Sequence, residues 1–392
     1  TGATKEPHRA ARKLFVDVNE PARKPSDARL ILLSDNKLVH IFTREILNQL
    51  RSDASATDMP LFAIEYDDPR SGKDATTPVR WSVLTNLTIL RTMVQHCVFG
   101  PADVIDRSDS VVRPQGRPTI RGSYMLSRGL ALESSPAFPE VFDDGTMTMK
   151  RSSLGNESFP PGQLPDLIGR FNAIWRPAIL TLISKFLPLR AHVRALLSLN
   201  TQWVPGEDEG GLAKEALFSG VGAYWTLKDS AKYWREQQAS EEEPEERELG
   251  KPATVQAWDL IERKRSDFCR IRAEAFLDRK STDERTIQEV EALYGVVRTY
   301  ACQLGAMLTI AHIASIAAVE VEKIPSLAEA IVQAWNAALT TGPVKSRDRR
   351  LILVNFKNVR SDDKKGQVEP GQPSLNLIDK LDTPDARYFR YF

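Results

Sequence analysis

From Thr299 to Val319 the chain reads TYACQLGAMLTIAHIASIAAV, with no charged side chain. A stretch of that length must be hidden from water along its whole surface, so it is either a membrane span or the buried axis of a helical protein. Gln303, Gly305, His312 and several Ser, Thr and Ala dilute its hydrophobicity, and no Lys or Arg flanks its C-terminal side as the positive-inside pattern asks. The buried helix is the better reading, and no membrane partner is expected.

Around this axis the second half of the chain repeats apolar residues at helical spacing. The spacing predicts helices over about 163–186, 189–200, 211–237, 252–279, 282–322 and 326–340. Pro177 should kink the first, and Pro188 should separate it from the second. Ser281-Thr282-Asp283-Glu284 has the form of a capping box ahead of the longest. In the first half, a helix capped by Ser34 or Asp35 should run to about Leu50, carrying Ile41, Phe42, Ile46, Leu47 and Leu50 on one face. A short strand is expected over 61–66 and another helix over 79–98. The fold is therefore expected to be mainly α. We divide it into an N-terminal arm (1–29), an N-terminal lobe with a long irregular loop (30–162), a C-terminal helical lobe (163–342) and a C-terminal arm (343–392).

The arms are unusual termini. The first is basic and proline-rich, without the pattern of a secretory signal. Within it Leu14, Phe15, Val16 and Val18 form an apolar patch, and the second arm ends in Tyr388, Phe389, Tyr391 and Phe392. Free tails have little use for such groups. Leu14, Phe15, Val16, Tyr388, Phe389, Tyr391 and Phe392 are thus candidate docking residues for neighbouring copies. Residues 241–248 are an acidic run, expected as a solvated loop.

No common catalytic or metal pattern is present: no phosphate-binding glycine loop, no nucleophile elbow and no spaced Cys or His pair. The histidines stand singly. Cys97, Cys269 and Cys302 are far apart and odd in number, as expected of free, buried thiols in a reducing compartment. No cofactor is implied and an enzyme is not expected, although triads assembled in space leave no sequence trace.

Charge is more telling. Lys plus Arg total 53 against 52 Asp plus Glu, which excludes a chain that is basic overall. Yet no acid occurs between Asp166 and Glu207, where Arg170, Arg176, Lys185, Arg190, His192 and Arg194 stand among Phe171, Trp175, Phe186 and Trp203. None occurs between Asp109 and Glu133 either, where Arg113, Arg117, Arg121 and Arg128 lie. A phosphate backbone needs cations without competing carboxylates, and neighbouring aromatics can stack on bases without reading sequence. Arg113, Arg117, Arg121, Arg170, Arg176, Lys185, Arg190 and Arg194 are the candidate RNA contacts. Arg190 and Arg194, four apart, should share a helix face.

Helical lobes, a basic track between them and apolar-tipped arms resemble, as architecture only, the coat proteins and nucleoproteins of RNA viruses. They are similar in kind to mononegavirus nucleoproteins and to partitivirus-like capsid proteins. No diagnostic motif matches residue by residue. The resemblance implies a homo-oligomer that exchanges arms and encloses RNA without sequence preference, in the virion and the host cytoplasm. A cellular helical scaffold or adaptor, or an enzyme with an unrecognised site, are the alternatives.

Overall fold

The structure, a computed structural model, describes residues 25–52, 59–66, 68, 78, 80–98, 138, 161–204, 206, 208, 211–219, 223–240, 251–278, 282–317 and 319–341. Both arm tips, most of the irregular loop and the acidic run lie outside these residues. The described part is mainly α, as expected. Its helices are α1 (Asp27–Leu33), α2 (Leu38–Ser52), α3 (Leu87–Val98), α4 (Leu164–Ala173), α5 (Trp175–Lys185), α6 (Leu187–Thr201), α7 (Leu212–Phe218), α8 (Ala223–Ser240), α9 (Ala253–Leu277), α10 (Glu284–Val297), α11 (Tyr300–Ile316) and α12 (Ile324–Thr341). Ile64–Glu65 (β1) and Thr85–Asn86 (β2) pair in parallel, Ile64 opposite Thr85.

Helix α11 is the buried axis anticipated above. Every residue from Cys302 to Ala311 is buried, and its two buried polar side chains donate to backbone carbonyls, leaving Gln303 Oε1 without a hydrogen-bond partner among the described residues. Gln303 Nε2 donates to the carbonyls of Leu84 (3.1 Å) and Val297 (3.3 Å), and Thr309 Oγ1 donates to the Gly305 carbonyl at 3.0 Å. Among the described residues no helix is long and apolar enough to cross a membrane. One continuous hydrophobic core joins α2 and α3 to the helices from α4 to α12. In it α6 packs along α9, α12 along α5, and α11 against α3.

Several helices break where periodicity reads through. The 163–186 segment divides at Ile174 (φ −108°, ψ −71°). Pro177 has no N–H for the carbonyl of Ala173 and its ring collides with it, so the kink arrives as a division. The 211–237 segment divides after Ser219, and helix resumes at Ala223. The 282–322 segment divides at Arg298 and Thr299 and ends at Ile316. Arg298 turns inward to donate to the carbonyls of Pro78 (3.4 Å) and Arg80, while Thr299 Oγ1 accepts from the Cys302 N–H at 3.4 Å and so caps α11. The first part of that segment starts at Asp283, whose Oδ1 accepts from the Thr286 N–H at 2.7 Å. Asp283 is thus the N-cap of α10, and Ser281 lies outside the described residues.

In the first half, Leu30–Leu33 is helical, and Ser34 closes α1 as its C-cap, its N–H donating to the Leu30 carbonyl, instead of opening α2. The Ser34 carbonyl, with that of Ile31, accepts from Arg44, which also pairs with Asp35 at 2.5 Å. The expected helix over 79–98 begins only at Leu87, because Thr85 and Asn86 are held by β1 and the Asn86 side chain accepts from the Ile89 N–H at 2.9 Å. The strand expected over 61–66 shrinks to Ile64–Glu65 behind a 3-10 turn.

Candidate nucleic-acid interface

Helices α5 and α6 are joined by one extended residue, Phe186 (φ −64°, ψ 125°), with Pro188 in the first turn of α6. The corner is held from α12. Asn336 Oδ1 accepts from the Leu187 N–H (2.6 Å) while its Nδ2 donates to the Lys185 carbonyl (2.8 Å). The last carbonyl of α5 and the first N–H of α6, both lacking intrahelical partners, are thus satisfied by one amide. The ring of Trp335 meets Phe186 edge-on at 5.7 Å.

Helical spacing then directs two faces into one groove of about 600 Å³. From α5 come Arg176, Pro177, Leu180, Thr181, Ser184 and Lys185, from α6 Arg190, Val193, Arg194 and Leu197, and from α2 Gln49. Four of the predicted phosphate contacts, Arg176, Lys185, Arg190 and Arg194, are therefore brought together, and no carboxylate stands among the described residues that line the groove. Two acids approach from outside the lining: Glu45 interacts electrostatically with Arg176, and Glu329 pairs with Lys185 at 2.7 Å.

The groove is electrostatically unfavourable to its own cations. Partial burial lowers the Arg190 pKa, and repulsion from Arg194 lowers it further. The Arg190 Nε–H is buried with no hydrogen-bond partner among the described residues. Burial also lowers Arg176, with Glu45 acting the other way. Desolvation of these cations and the Arg190–Arg194 repulsion both favour an anionic ligand, whereas Glu45 competes with one for Arg176.

Arg170, the fifth contact predicted in this window, does not line the groove. It lies over the ring of Phe138, 5.5 Å from its centroid, and Phe138 itself is buried against Phe42. The aromatics expected to stack on bases are corrected outright. Phe171, Trp175, Phe186 and Trp203 are all buried in the core, the first two on the inward apolar stripes of α4 and α5 and the other two at the ends of α6. Arg113, Arg117 and Arg121, and the docking residues Leu14, Phe15, Val16, Tyr388, Phe389, Tyr391 and Phe392, lie outside the described residues.

His192 is likewise no rim cation. Two residues from Arg190 and from Arg194, it faces the opposite side of α6 and is fully buried. Its Nε2 lies 3.0 Å from the Ser82 carbonyl, which can only accept, and its Nδ1 lies 3.0 Å from Arg272, which can only donate. The ring is therefore neutral with its proton on Nε2. Burial first, then Arg272 and Arg298, hold its pKa well below the ordinary value. Arg272 also pairs with Glu291 and lies 3.9 Å from the Tyr294 ring centroid. Nearby, Arg298 is pushed down to about 10 by burial.

This buried network ties residues 80–86 to α6, α9 and α10. Sequence reading missed it, since its members are scattered from Ser82 to Arg298. Two of the three thiols have described side chains, and that of Cys97 lies outside them. Cys269 and Cys302 are free and buried; burial lifts Cys269 to about 12 and raises Cys302 as well. Among the described residues no group of His, Cys, Asp and Glu is arranged to hold a metal ion. Compared with known protein families, characterised proteins and solved structures, the chain has no match.

Proposed function

We propose that this protein is a viral structural protein, a capsid protein or nucleoprotein, that self-assembles and encapsidates RNA, holding the RNA backbone in the groove between α5 and α6. One observation carries the reading: Arg176, Lys185, Arg190 and Arg194 converge there from two helices with no carboxylate in the described lining. Such a track attracts phosphates by charge and releases their counterions, with no requirement on base sequence. An RNA backbone would also relieve the repulsion between Arg190 and Arg194. Assembly rests on the apolar arm tips in the sequence, Leu14–Val16 and Tyr388–Phe392.

The test is a salt-dependent binding isotherm of the full chain on unrelated RNAs, wild type against R190E/R194E. The double variant is expected to bind every RNA more weakly, with a salt slope smaller by roughly one unit per lost contact. Equal slopes would overturn this site. Absence of RNA binding by the assembled wild type would overturn the function in favour of a protein scaffold. Removing residues 384–392 should shift sedimenting assemblies toward smaller species, and an unchanged assembly at low concentration would contradict arm exchange.

A further inference from the structure

We infer that the groove takes single-stranded rather than duplex RNA, seating a base against an apolar floor while the cations around it hold the flanking phosphates. The inference rests on the RNA-binding reading above and adds the form of the ligand. Its starting point is what lies between the cations. On α5, Arg176 and Lys185 are nine residues apart, roughly 14 Å along the axis at the helical rise, and Leu180, between them in sequence, also lines the groove. On α6, Val193 and Leu197 share the face of Arg190 and Arg194. Leu180 and Val193 are buried and close the floor, but Leu197 remains 37% exposed, one of few large apolar side chains open to solvent among the described residues.

A purely electrostatic track has no use for an apolar surface between its charges. A duplex presents phosphates and sugars outward and keeps its bases stacked inside. A cylinder of that kind can touch the rim cations, but it offers no base face to the apolar residues between them, Leu197 included. A single strand can turn a base inward. The π-face of any base can lie on an apolar wall, and the contact tolerates sequence because every base has such a face. The groove falls within the usual range for small-molecule pockets, enough for a base with its sugar. Gln49 adds an amide that can donate to one base edge and accept from another. Because the nearby aromatic side chains are consumed by the core, the base rests on aliphatic groups.

The experiment measures binding of the full chain to three probes: a uridine oligonucleotide, a blunt RNA duplex with the same number of phosphates, and a polyglutamate of matching charge. Wild type, Leu197→Ser and Arg194→Gln are compared. Wild type is expected to favour the single strand over the duplex by about tenfold. Leu197→Ser should weaken single-strand binding by about three- to tenfold and leave duplex binding unchanged, which also shows that the variant is folded. Arg194→Gln should weaken both RNAs alike. Equal wild-type affinity for the two RNAs, or no effect of Leu197→Ser on the single strand, overturns this inference while leaving RNA binding in place. Polyglutamate bound as tightly as the single strand assigns the groove to acidic peptides and overturns it too. No RNA binding at all defeats the functional reading on which it stands.

Discussion

Replacing Arg272 by Met tests whether the buried network holds residues 80–86 against the helices. The Arg272 side chain is 3% exposed, and Met preserves most of its aliphatic stem while removing the charge and all donors. Three losses follow. His192 Nδ1 keeps its lone pair in a buried site with no donor, costing about 1–3 kcal/mol. The guanidinium leaves the faces of Tyr294 (3.9 Å) and Phe268 (4.8 Å), worth about 1–2 kcal/mol when desolvated. Glu291 loses its partner, but its side chain is 30% exposed and water screens much of that loss. The expected cost is therefore about 3–5 kcal/mol, as for a broken buried pair. Urea unfolding followed by far-UV circular dichroism reads it as a lower midpoint. Adding Glu291→Leu should recover about 1–2 kcal/mol, because the orphaned carboxylate goes too. A loss under about 1 kcal/mol in the single variant would refute the reasoning, since no buried network of this geometry yields so cheaply.

The same network predicts acid sensitivity. The His192 pKa is lower folded than unfolded, so below about pH 6.5 the unfolded chain binds a proton that the folded one refuses. Stability is full above that value and falls as pH drops, by up to about 1.4 kcal/mol per unit from this group. His192→Gln should show a shallower loss in urea midpoint between pH 7 and 5, and an identical loss would contradict the assignment. At the α5–α6 corner, Asn336→Ala removes both bonds that set the angle. It should cost about 1–2 kcal/mol and also reduce the salt slope of RNA binding; a thermal shift without a slope change would mean that the corner does not position the groove. Glu329→Gln releases Lys185 and should raise RNA affinity at low salt by about two- to fivefold, the worth of an exposed pair. Unchanged or weaker binding would remove Lys185 from the contacts.

Periodicity was enough to identify the helical segments from residue 163 onward, because an apolar stripe at 3.6-residue spacing is a local property. It was blind to divisions made by distant partners. Nothing in the sequence around Arg298 and Thr299 announces a helix end. The end exists because the carbonyls of Pro78 and Arg80 draw Arg298 inward and because Gln303 spans Val297 and Leu84. By contrast the division at Ile174 follows from Pro177, a covalent constraint visible in one dimension.

The candidate site divides in the same way. Sequence alone determined that 167–206 is free of carboxylates and that Arg190 and Arg194 share a face, because composition and helix pitch are carried by the chain itself. It also marked Arg170 and the interleaved aromatics, and those have other work. Only the tertiary structure decided that Arg170 lies over Phe138 while Arg176 and Lys185 face Arg190 and Arg194 across a groove. The angle between α5 and α6 turns on one extended residue and is held by Asn336, some 150 positions later in the chain. Charge content is a sum over residues, but convergence depends on the direction each helix takes after packing, and that direction is set by contacts the linear order does not contain.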